Sequence, residues 1–430
     1  MSTFMINDKK VIRAWTIFDW ANSAYALVIS TAIFPIYFIA YTPDIIELGG
    51  ISFSNAALYS FAVTFSYVVI ACLSPVLSGI ADYSGRRKFF LHMFTLIGSL
   101  ACMLLYLFKG EPQLWLGTTA FILATVGFSG SLVFYDSYLP IIVTEDKYNS
   151  VSARGYTLGY IGSVILLVSI LVMGNKPEWF GLADSQTAYR LGFLLVGMWW
   201  VGFAQYTLRH LPKDKRIKFT EKVFKNGFLE LKKAYHKVKE NKNILRYLTS
   251  YFFYSAGVQT VIYLATVFAS KELGFESTEL IIIVLLLQLV AIVGAYLFSL
   301  LGTLSGNRLS IMIMLVIWII ICVGAYYTQS KSFFYFLAVM VGMVMGGIQS
   351  LSRASYASLI PEKADTTSYF SLMDVIYKSA IVMGTFLFGL AENITGNMRN
   401  SVLVLAFLFI FGLYFMYKTR LPMPERLKSN

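Results

Sequence analysis

Long apolar stretches separated by short polar ones repeat along the whole chain. A helix needs about 20 apolar residues to cross a bilayer. Runs of that order occur twelve times, near 17–40, 56–80, 89–108, 114–135, 158–173, 191–208, 247–269, 280–301, 309–327, 333–350, 369–390 and 402–417. Strands of an outer-membrane barrel would alternate apolar and polar positions over about ten residues, a pattern these runs do not show. The spacing predicts an all-α membrane protein of twelve transmembrane helices. One long polar stretch divides them six and six. This division predicts an N-terminal six-helix lobe over 1–208, a linker over 209–246 and a C-terminal six-helix lobe over 247–430.

The two halves share weak internal repeats. The stretch 18–31 in the first run matches 253–266 in the seventh at a constant offset of 235. Gly85-Arg86-Arg87 after the second run has a counterpart after the eighth, Gly306-Asn307-Arg308, and Pro140 after the fourth has one after the tenth, Pro361. Matches at corresponding places predict two pseudo-symmetric lobes, an arrangement common among secondary transporters.

Composition agrees with a membrane protein. Of 430 residues, 57% are hydrophobic and 13% charged, where soluble domains carry about 25% charged residues. The net charge of +12 invites a nucleic-acid reading, and its placement argues against one. With the N-terminus in the cytoplasm, 28 of the 35 Lys and Arg fall on the inner face, six on the outer face (Lys109, Lys176, Arg190, Lys271, Lys331, Arg399), and Lys378 lies inside the eleventh run. This asymmetry predicts a multi-pass protein with both termini cytoplasmic, in the plasma (inner) membrane if the source is a bacterium. The linker carries 13 basic and 4 acidic residues. Phe224, Phe228, Leu229, Tyr235 and Val238 recur in it at helical spacing. The pattern predicts an amphipathic helix on the anionic inner leaflet, with membrane lipids as partners. The alternative is a solvated linker that only fixes topology.

Other chemistry is sparse. Cys72, Cys102 and Cys322 lie in apolar runs and suggest no disulfide framework. The first apolar run is too long for a cleaved signal. His92, His210 and His236 have no neighbours suggesting a metal site, and no cofactor motif is found. With no P-loop, dinucleotide fingerprint or paired nucleophile and base, a non-enzyme is expected. Asn393-Ile394-Thr395 fits a glycosylation pattern that matters only in a secretory-pathway membrane. The Phe and Tyr residues are expected mostly toward lipid or at the interfaces.

Two motifs carry the functional reading. The first is Gly79-Ile80-Ala81-Asp82-Tyr83-Ser84-Gly85-Arg86-Arg87-Lys88. Glycine permits a tight turn, and Asp82 can cap a helix or pair with an arginine at the inner face. The motif resembles the signature between helices 2 and 3 of the major facilitator superfamily, although Gly79 lies one residue closer to Asp82 than is usual and Tyr83 replaces a basic residue. The alternative is a basic turn without a gating role.

The second is Asp19-Trp20-Ala21-Asn22-Ser23-Ala24-Tyr25 with Phe34-Pro35 in the first run. A carboxylate, an amide and a hydroxyl at 19, 22 and 23 share one helical face, and polar groups placed in lipid usually face a water-filled path. This run looks like the helix 1 signature of the family of vacuolar amino-acid effluxers. Tyr254-Ser255-Ala256-Gly257-Val258-Gln259 resembles that family's helix 7. Ser352-Arg353-Ala354, Leu359-Ile360-Pro361, Tyr369–Asp374 and Lys378 resemble its helix 10–11 region. The chain departs at Ala256, where the family commonly has Asp, at Ser371 (Gly) and at Thr385 (Pro). The resemblance implies the major facilitator fold and export of a small solute, with amino acids the suggested class.

Depth along the helices, at about 1.5 Å per residue, sorts the remaining candidates. Lys378 lies near the midplane with Asp374 one turn shallower, and Asn22 and Gln259 reach similar depth from opposite lobes. Asp19, Asn22, Tyr25, Gln259, Asp374 and Lys378 are therefore expected to line a central cavity. Lys378 would hold a substrate carboxylate, and Asp19 or Asp374 an amine or a coupling proton; facilitated diffusion fits equally well. Alternatively, Asp374–Lys378 is an internal pair and Asp19 a packing group. Asp82, Gly85, Arg86, Arg87, Asp136 and Arg353 are the gating candidates, with Asp136 and Arg353 at symmetry-related helix ends. A lipid or hydrophobic-amine carrier, or a receptor on the same fold, are the rival readings. Oligomeric state is not readable from the sequence.

Overall fold

A computed structural model describes residues 5–48, 51–214, 221–361 and 363–422. Eleven of its helices are long and apolar enough to cross a membrane. These are α3 (Asn55–Ser84), α4 (Arg87–Leu104), α5 (Leu114–Asp136), α7 (Tyr148–Asn175), α8 (Ser185–His210), α10 (Lys242–Leu273), α11 (Ser277–Ser305), α12 (Asn307–Tyr327), α13 (Lys331–Leu359), α14 (Thr366–Thr395) and α15 (Met398–Lys418). The twelfth span is a bent pair. α1 (Lys9–Ala24) continues as a π-helix over Tyr25–Ala32 and breaks into α2 (Phe34–Tyr41) at 40°. The cause is local. Pro35 has no N–H to give the preceding turn, and its ring would collide with the carbonyl four residues back. Wider i→i+5 bonding absorbs the mismatch, as in Ile33 N–H to the Val28 carbonyl at 2.9 Å.

Several helices outrun their apolar runs because their ends are capped. Ser54 Oγ accepts from the Ala57 N–H, Ser330 Oγ from Phe333, and the Asn241 side chain from Asn243 and Ile244. α7 begins ten residues before its predicted start at 158, because the segment Tyr148–Thr157 packs largely on protein rather than lipid and needs no unbroken apolar run. A small antiparallel hairpin, β1 (Ile45–Leu48) and β2 (Ile51–Ser54), joins α2 to α3 and was not predicted.

α1 packs on α7 and α8, and α4 on α5 and α8. Among the later helices, α10 packs on α14 and α15, and α11 on α13. Gly346 lets α13 touch α11, since a Cβ there would fall 2.1 Å from the Ala291 carbonyl oxygen. The two sets meet where α7 faces α11 and α13, and where α3 faces α14. Connections bearing Arg86–Lys88, Lys147, Arg308 and Lys363 all fall at one end of the bundle, called here the basic end; the opposite end is the far end.

The linker helix is α9 (Glu221–Glu240). One side of it does not face lipid: Val223, Ala234 and Val238 are buried against protein. Part of the linker, 215–220, lies outside the described residues. The aromatic residues also divide differently from expectation. Tyr25, Tyr37, Tyr135, Tyr247, Tyr254 and Tyr356 are fully buried with their hydroxyls hydrogen-bonded, because a hydroxyl inside the bundle finds partners that lipid cannot supply.

Candidate functional site

Arg353, on α13, is 3% exposed and binds groups from three helices of the first set. Its Nη2 donates to Asp19 Oδ2 on α1, and its Nη1 to Asp136 Oδ1 at the end of α5, both at 3.0 Å. Its Nε donates to Ser152 Oγ on α7, and Nη2 also to the Ser152 carbonyl, both at 2.9 Å. The Tyr135 hydroxyl donates to the same Asp19 oxygen at 2.8 Å. The guanidinium lies 4.3 Å from the centre of the Tyr156 ring and 4.7 Å from that of Trp15. Asp19 was expected among the substrate-facing groups, apart from an Asp136–Arg353 gate; the structure joins all three in one cluster. Burying such charges costs several kcal/mol per ion, so stability alone is a poor reason to have them. Ionised groups within membrane spans more often serve function.

The cluster fits because α7 is stripped of side chains where it faces α1. A Cβ at Gly155 would lie 2.3 Å from Asp19 Oδ2 and 2.9 Å from Arg353 Nη2; at Gly159 it would lie 2.4 Å from Ser23 Oγ. Gly155, Gly159 and Gly162 form a one-sided stripe at helical spacing, a packing signal that sequence reasoning missed. Gly155→Val is expected to split the Asp19–Arg353 pair. Flux should fall at least about tenfold while size-exclusion elution stays normal, and unchanged flux would show that the pair tolerates displacement.

On the far-end side of this cluster lies a cavity of about 310 Å³. Asp19 lines it, as expected, together with Asp136 and Arg353, and so do Asn22, Gln259, Asp374 and Lys378, reaching it from both helix sets. Asn22 is 1% exposed, and its Nδ2 has no partner among the described residues, so a donor waits at the cavity wall. Lys378 Nζ pairs with Asp374 Oδ2 one turn away, and Ser74 Oγ on α3 lies 3.4 Å from that oxygen. Tyr25 departs from expectation. Its hydroxyl bonds Thr125 Oγ1 at 2.7 Å inside the first helix set, and it does not line the cavity. At about 3.6 residues per turn Tyr25 lies about 120° round the helix from Asp19, on the side that packs into the first helix set.

The sequence reading missed much of the remaining wall. Tyr160 donates to Gln349 Oε1 at 2.6 Å, Tyr254 meets Ser352 Oγ at 2.7 Å, and Tyr67 meets Tyr263 at 3.4 Å. Gln288 Oε1 on α11 is buried without a partner among the described residues. Tyr247, Tyr251 and Tyr254 recur at four and three residues, a stripe that could have marked the inner face of α10.

At the basic end the two helix sets are fastened twice. Gly85, in the left-handed region at φ 65°, closes α3, and the Arg86 N–H returns to the Ala81 carbonyl. This turn brings Arg87 Nη2 to Asp82 Oδ1 at 2.7 Å. Asp82 also accepts from the N–H and hydroxyl of Ser368, at 2.7 and 2.8 Å, and so caps α14. Arg87 Nε reaches Thr367 Oγ1 at 2.7 Å. The pseudo-symmetric turn at Gly306 places Asn307 against Asn149 on α7, with reciprocal bonds of 2.6 and 2.9 Å. A third link, Lys237 to Asp365 at 3.3 Å, ties α9 to the start of α14. Burial and the nearby Asp82 push the Asp365 carboxyl above the usual carboxylate range. It therefore takes up a proton at a higher pH than an exposed Asp, and the link to Lys237 weakens as pH falls through that raised value. Asp82→Ala removes the α14 cap, worth about 0.5–2 kcal/mol. Accordingly, a cysteine at Ser137, which is fully buried where α5 meets Thr367 of α14, should react faster with a soluble maleimide in that background; an equal rate would show that the cap does not hold this end closed.

The chain matches the family model described as vacuole effluxer Atg22 like over residues 7–423. It is 32% identical to an uncharacterised transporter of the major facilitator type from Bacillus subtilis, YxiO, covering 93% of this chain and 92% of that protein. It is 27% identical to autophagy-related protein 22 of Eremothecium gossypii, covering 83% of this chain and 75% of that protein. Among solved structures, FucP, a major facilitator transporter in the outward conformation, aligns with a TM-score of 0.71 at 12% identity, covering 95% of this chain and 97% of its own. A bacterial homologue of ferroportin in its outward-facing state aligns at 0.67 and 14% identity, covering 95% of this chain and 98% of that one. The fold, the family model and the full-length relative together establish that this chain is a major facilitator superfamily transporter of the Atg22-like effluxer family.

Proposed function

We propose that the protein exports a small zwitterionic solute, amino acids being the leading class, by alternating access between two six-helix lobes. The basic end is taken as cytoplasmic, as the charge asymmetry suggests. On this reading the structure is the outward-open state. The supporting observation is that the fastenings Asp82–Ser368, Asn149–Asn307 and Arg353–Asp19 lie at or near the basic end, with the cavity on their far side. Resemblance to outward-facing transporters supports the same assignment.

Amino-acid recognition follows from the cavity chemistry. Lys378 offers a cation for a carboxylate, Asp374 an anion for an amine, and Asn22 an unused donor between them and the Arg353 cluster. The binding site is assembled from both lobes, so a ligand that bridges them favours closure around itself. A proton is the candidate coupling ion, because among the described residues Arg353 is the one cation paired with the two carboxylates, and Asp136 is the more exposed of them.

Proteoliposome flux of labelled amino acids, dipeptides and sugars, with and without a pH gradient, tests the reading. Saturable amino-acid flux that responds to the gradient and is lost in Asp19→Asn is expected. Silence across the panel from folded protein would remove the amino-acid assignment.

A further inference from the structure

Helix α9 carries a second face that the transport cycle leaves unexplained. Its buried side, Val223, Gly227, Ala234 and Val238, recurs every three to four residues or their sum, and packs on α3, α10 and α14. Contact with α3 is backbone to backbone: a Cβ at Gly79 would lie 2.2 Å from the Gly227 carbonyl oxygen. Asn226 Nδ2 donates to the Tyr83 hydroxyl at 2.7 Å. Lys237 reaches Asp365 beside the start of α14. So α9 lies across the seam between α3 and α14, the helices that Asp82 ties together.

The other side of α9 presents Phe228, Leu229 and Tyr235, 58%, 44% and 52% exposed, interleaved with exposed Lys225, Lys232 and Lys239. Its surroundings follow from α3. Phe61, Phe65, Val68 and Val76 are exposed along one helical row of that span, the row that faces acyl chains. At the same spacing the row continues to Gly79 and Tyr83, where α9 docks. The helix therefore sits on the bundle's perimeter where the apolar row ends, and α10 enters the bundle two residues after α9 stops. Aromatic rings among lysines at that depth match a layer of anionic headgroups above acyl chains.

We propose that anionic lipid headgroups of the leaflet at the basic end bind this face of α9 and thereby stabilise the state closed at that end. The mechanism is mechanical. Opening the basic end separates α3 from α14, and α9 must then give up either Gly79 and Tyr83 or Asp365. Lipid that holds α9 across the seam opposes that separation. A neutral leaflet provides no such hold, so lipid charge sets the ratio of the two states.

The proposal rests on alternating access, and one experiment separates the two. The full chain, spin-labelled at Ser150 on α7 and Thr303 on α11, is placed in nanodiscs of phosphatidylcholine alone or with phosphatidylglycerol. Phosphatidylglycerol is expected to raise the short-distance population relative to the long one, by about 5-fold to about 150-fold for three lysines at about 1 kcal/mol each. In the variant K225Q/K232Q/K239Q the ratio should ignore lipid charge, and native mass spectrometry should show fewer retained phosphatidylglycerol molecules. Phe228→Ser with Tyr235→Ser, which keeps the charges, should weaken the response partially. Two populations in the wild-type chain that ignore phosphatidylglycerol overturn this proposal and leave alternating access intact. An equal shift caused by inorganic phosphate in neutral nanodiscs assigns the effect to free anions and overturns it too. A single population in every condition overturns both readings.

Discussion

Arg353→Met is expected to abolish coupled flux and to open the basic end. Among the described residues, the guanidinium is what the C-terminal helices contribute to the Asp19–Asp136–Arg353 cluster; both carboxylates and Ser152 belong to the N-terminal set. On the alternating-access reading the cluster is complete only in the state closed at this end. Removing the cation leaves the buried Asp19 and the partly exposed Asp136 without their counterion, a loss of about 3–5 kcal/mol. That corresponds to a shift of roughly 10²–10⁴ in the ratio of closed to open molecules. Maleimide labelling of Ser137→Cys, buried in the closed state, should rise accordingly, and flux should fall to background. Arg353→Lys is not a conservative rescue, since one ammonium cannot reproduce the four bonds made by the planar fork. The triple variant Asp19→Asn, Asp136→Asn, Arg353→Met should regain thermal stability without regaining flux, because the buried charge is gone but so is the switch. Wild-type flux from Arg353→Met would remove the cluster from the mechanism.

Lys378→Met is expected to have the opposite profile, with flux lost and folding kept. Lys378 pairs with Asp374 on the cavity wall, and the carboxylate side chain is the more exposed of the two, at 16% against 5%. With the ammonium gone, Asp374 still has Ser74 nearby and water from the cavity. The penalty in stability is therefore small, and methionine fills the stem's volume. The penalty in substrate binding is larger, since a charge-assisted bond to a carboxylate contributes about 1.5–3 kcal/mol, or roughly 10–100-fold. Substrates that lack a carboxylate should not feel the change. Flux that matches wild type in Lys378→Met, from protein with an unaltered melting curve, would sink the role assigned to it.

Much of this architecture was legible in the sequence because lipid leaves a chain few choices. Every backbone group must bond within its own helix, so each apolar run announced a span. Depth, counted at helical rise, brought Asp19, Asn22, Gln259, Asp374 and Lys378 to one cavity wall. What stayed hidden depended on rotation and register. Tyr25 was misplaced because depth was counted without rotation: at about 3.6 residues per turn it lies about 120° round the helix from Asp19, where its hydroxyl meets Thr125. Asp19 was assigned apart from Arg353 because nothing local links residues 334 positions apart; the glycine stripe on α7 was the available sign that α1 comes close there. Tyrosines were read as an interfacial belt, whereas their hydroxyls cross-link the interior at Tyr160–Gln349 and Tyr254–Ser352. The hairpin β1–β2 is too short to register against the spans that flank it.

Alternating access itself is tested most directly by two spin-label pairs read in the same protein. Ser150 with Thr303 reports the basic end, where Asn149 and Asn307 meet. Ser60 on α3 with Ser270 on α10 reports the far end, each two turns beyond the Tyr67–Tyr263 contact. The expected result is reciprocal: a short basic-end and long far-end distance in the wild-type chain, exchanging populations together in Arg353→Met and on addition of a transported amino acid. Distances that change at one end only, or at both ends in the same direction, would contradict a rocking-lobe carrier.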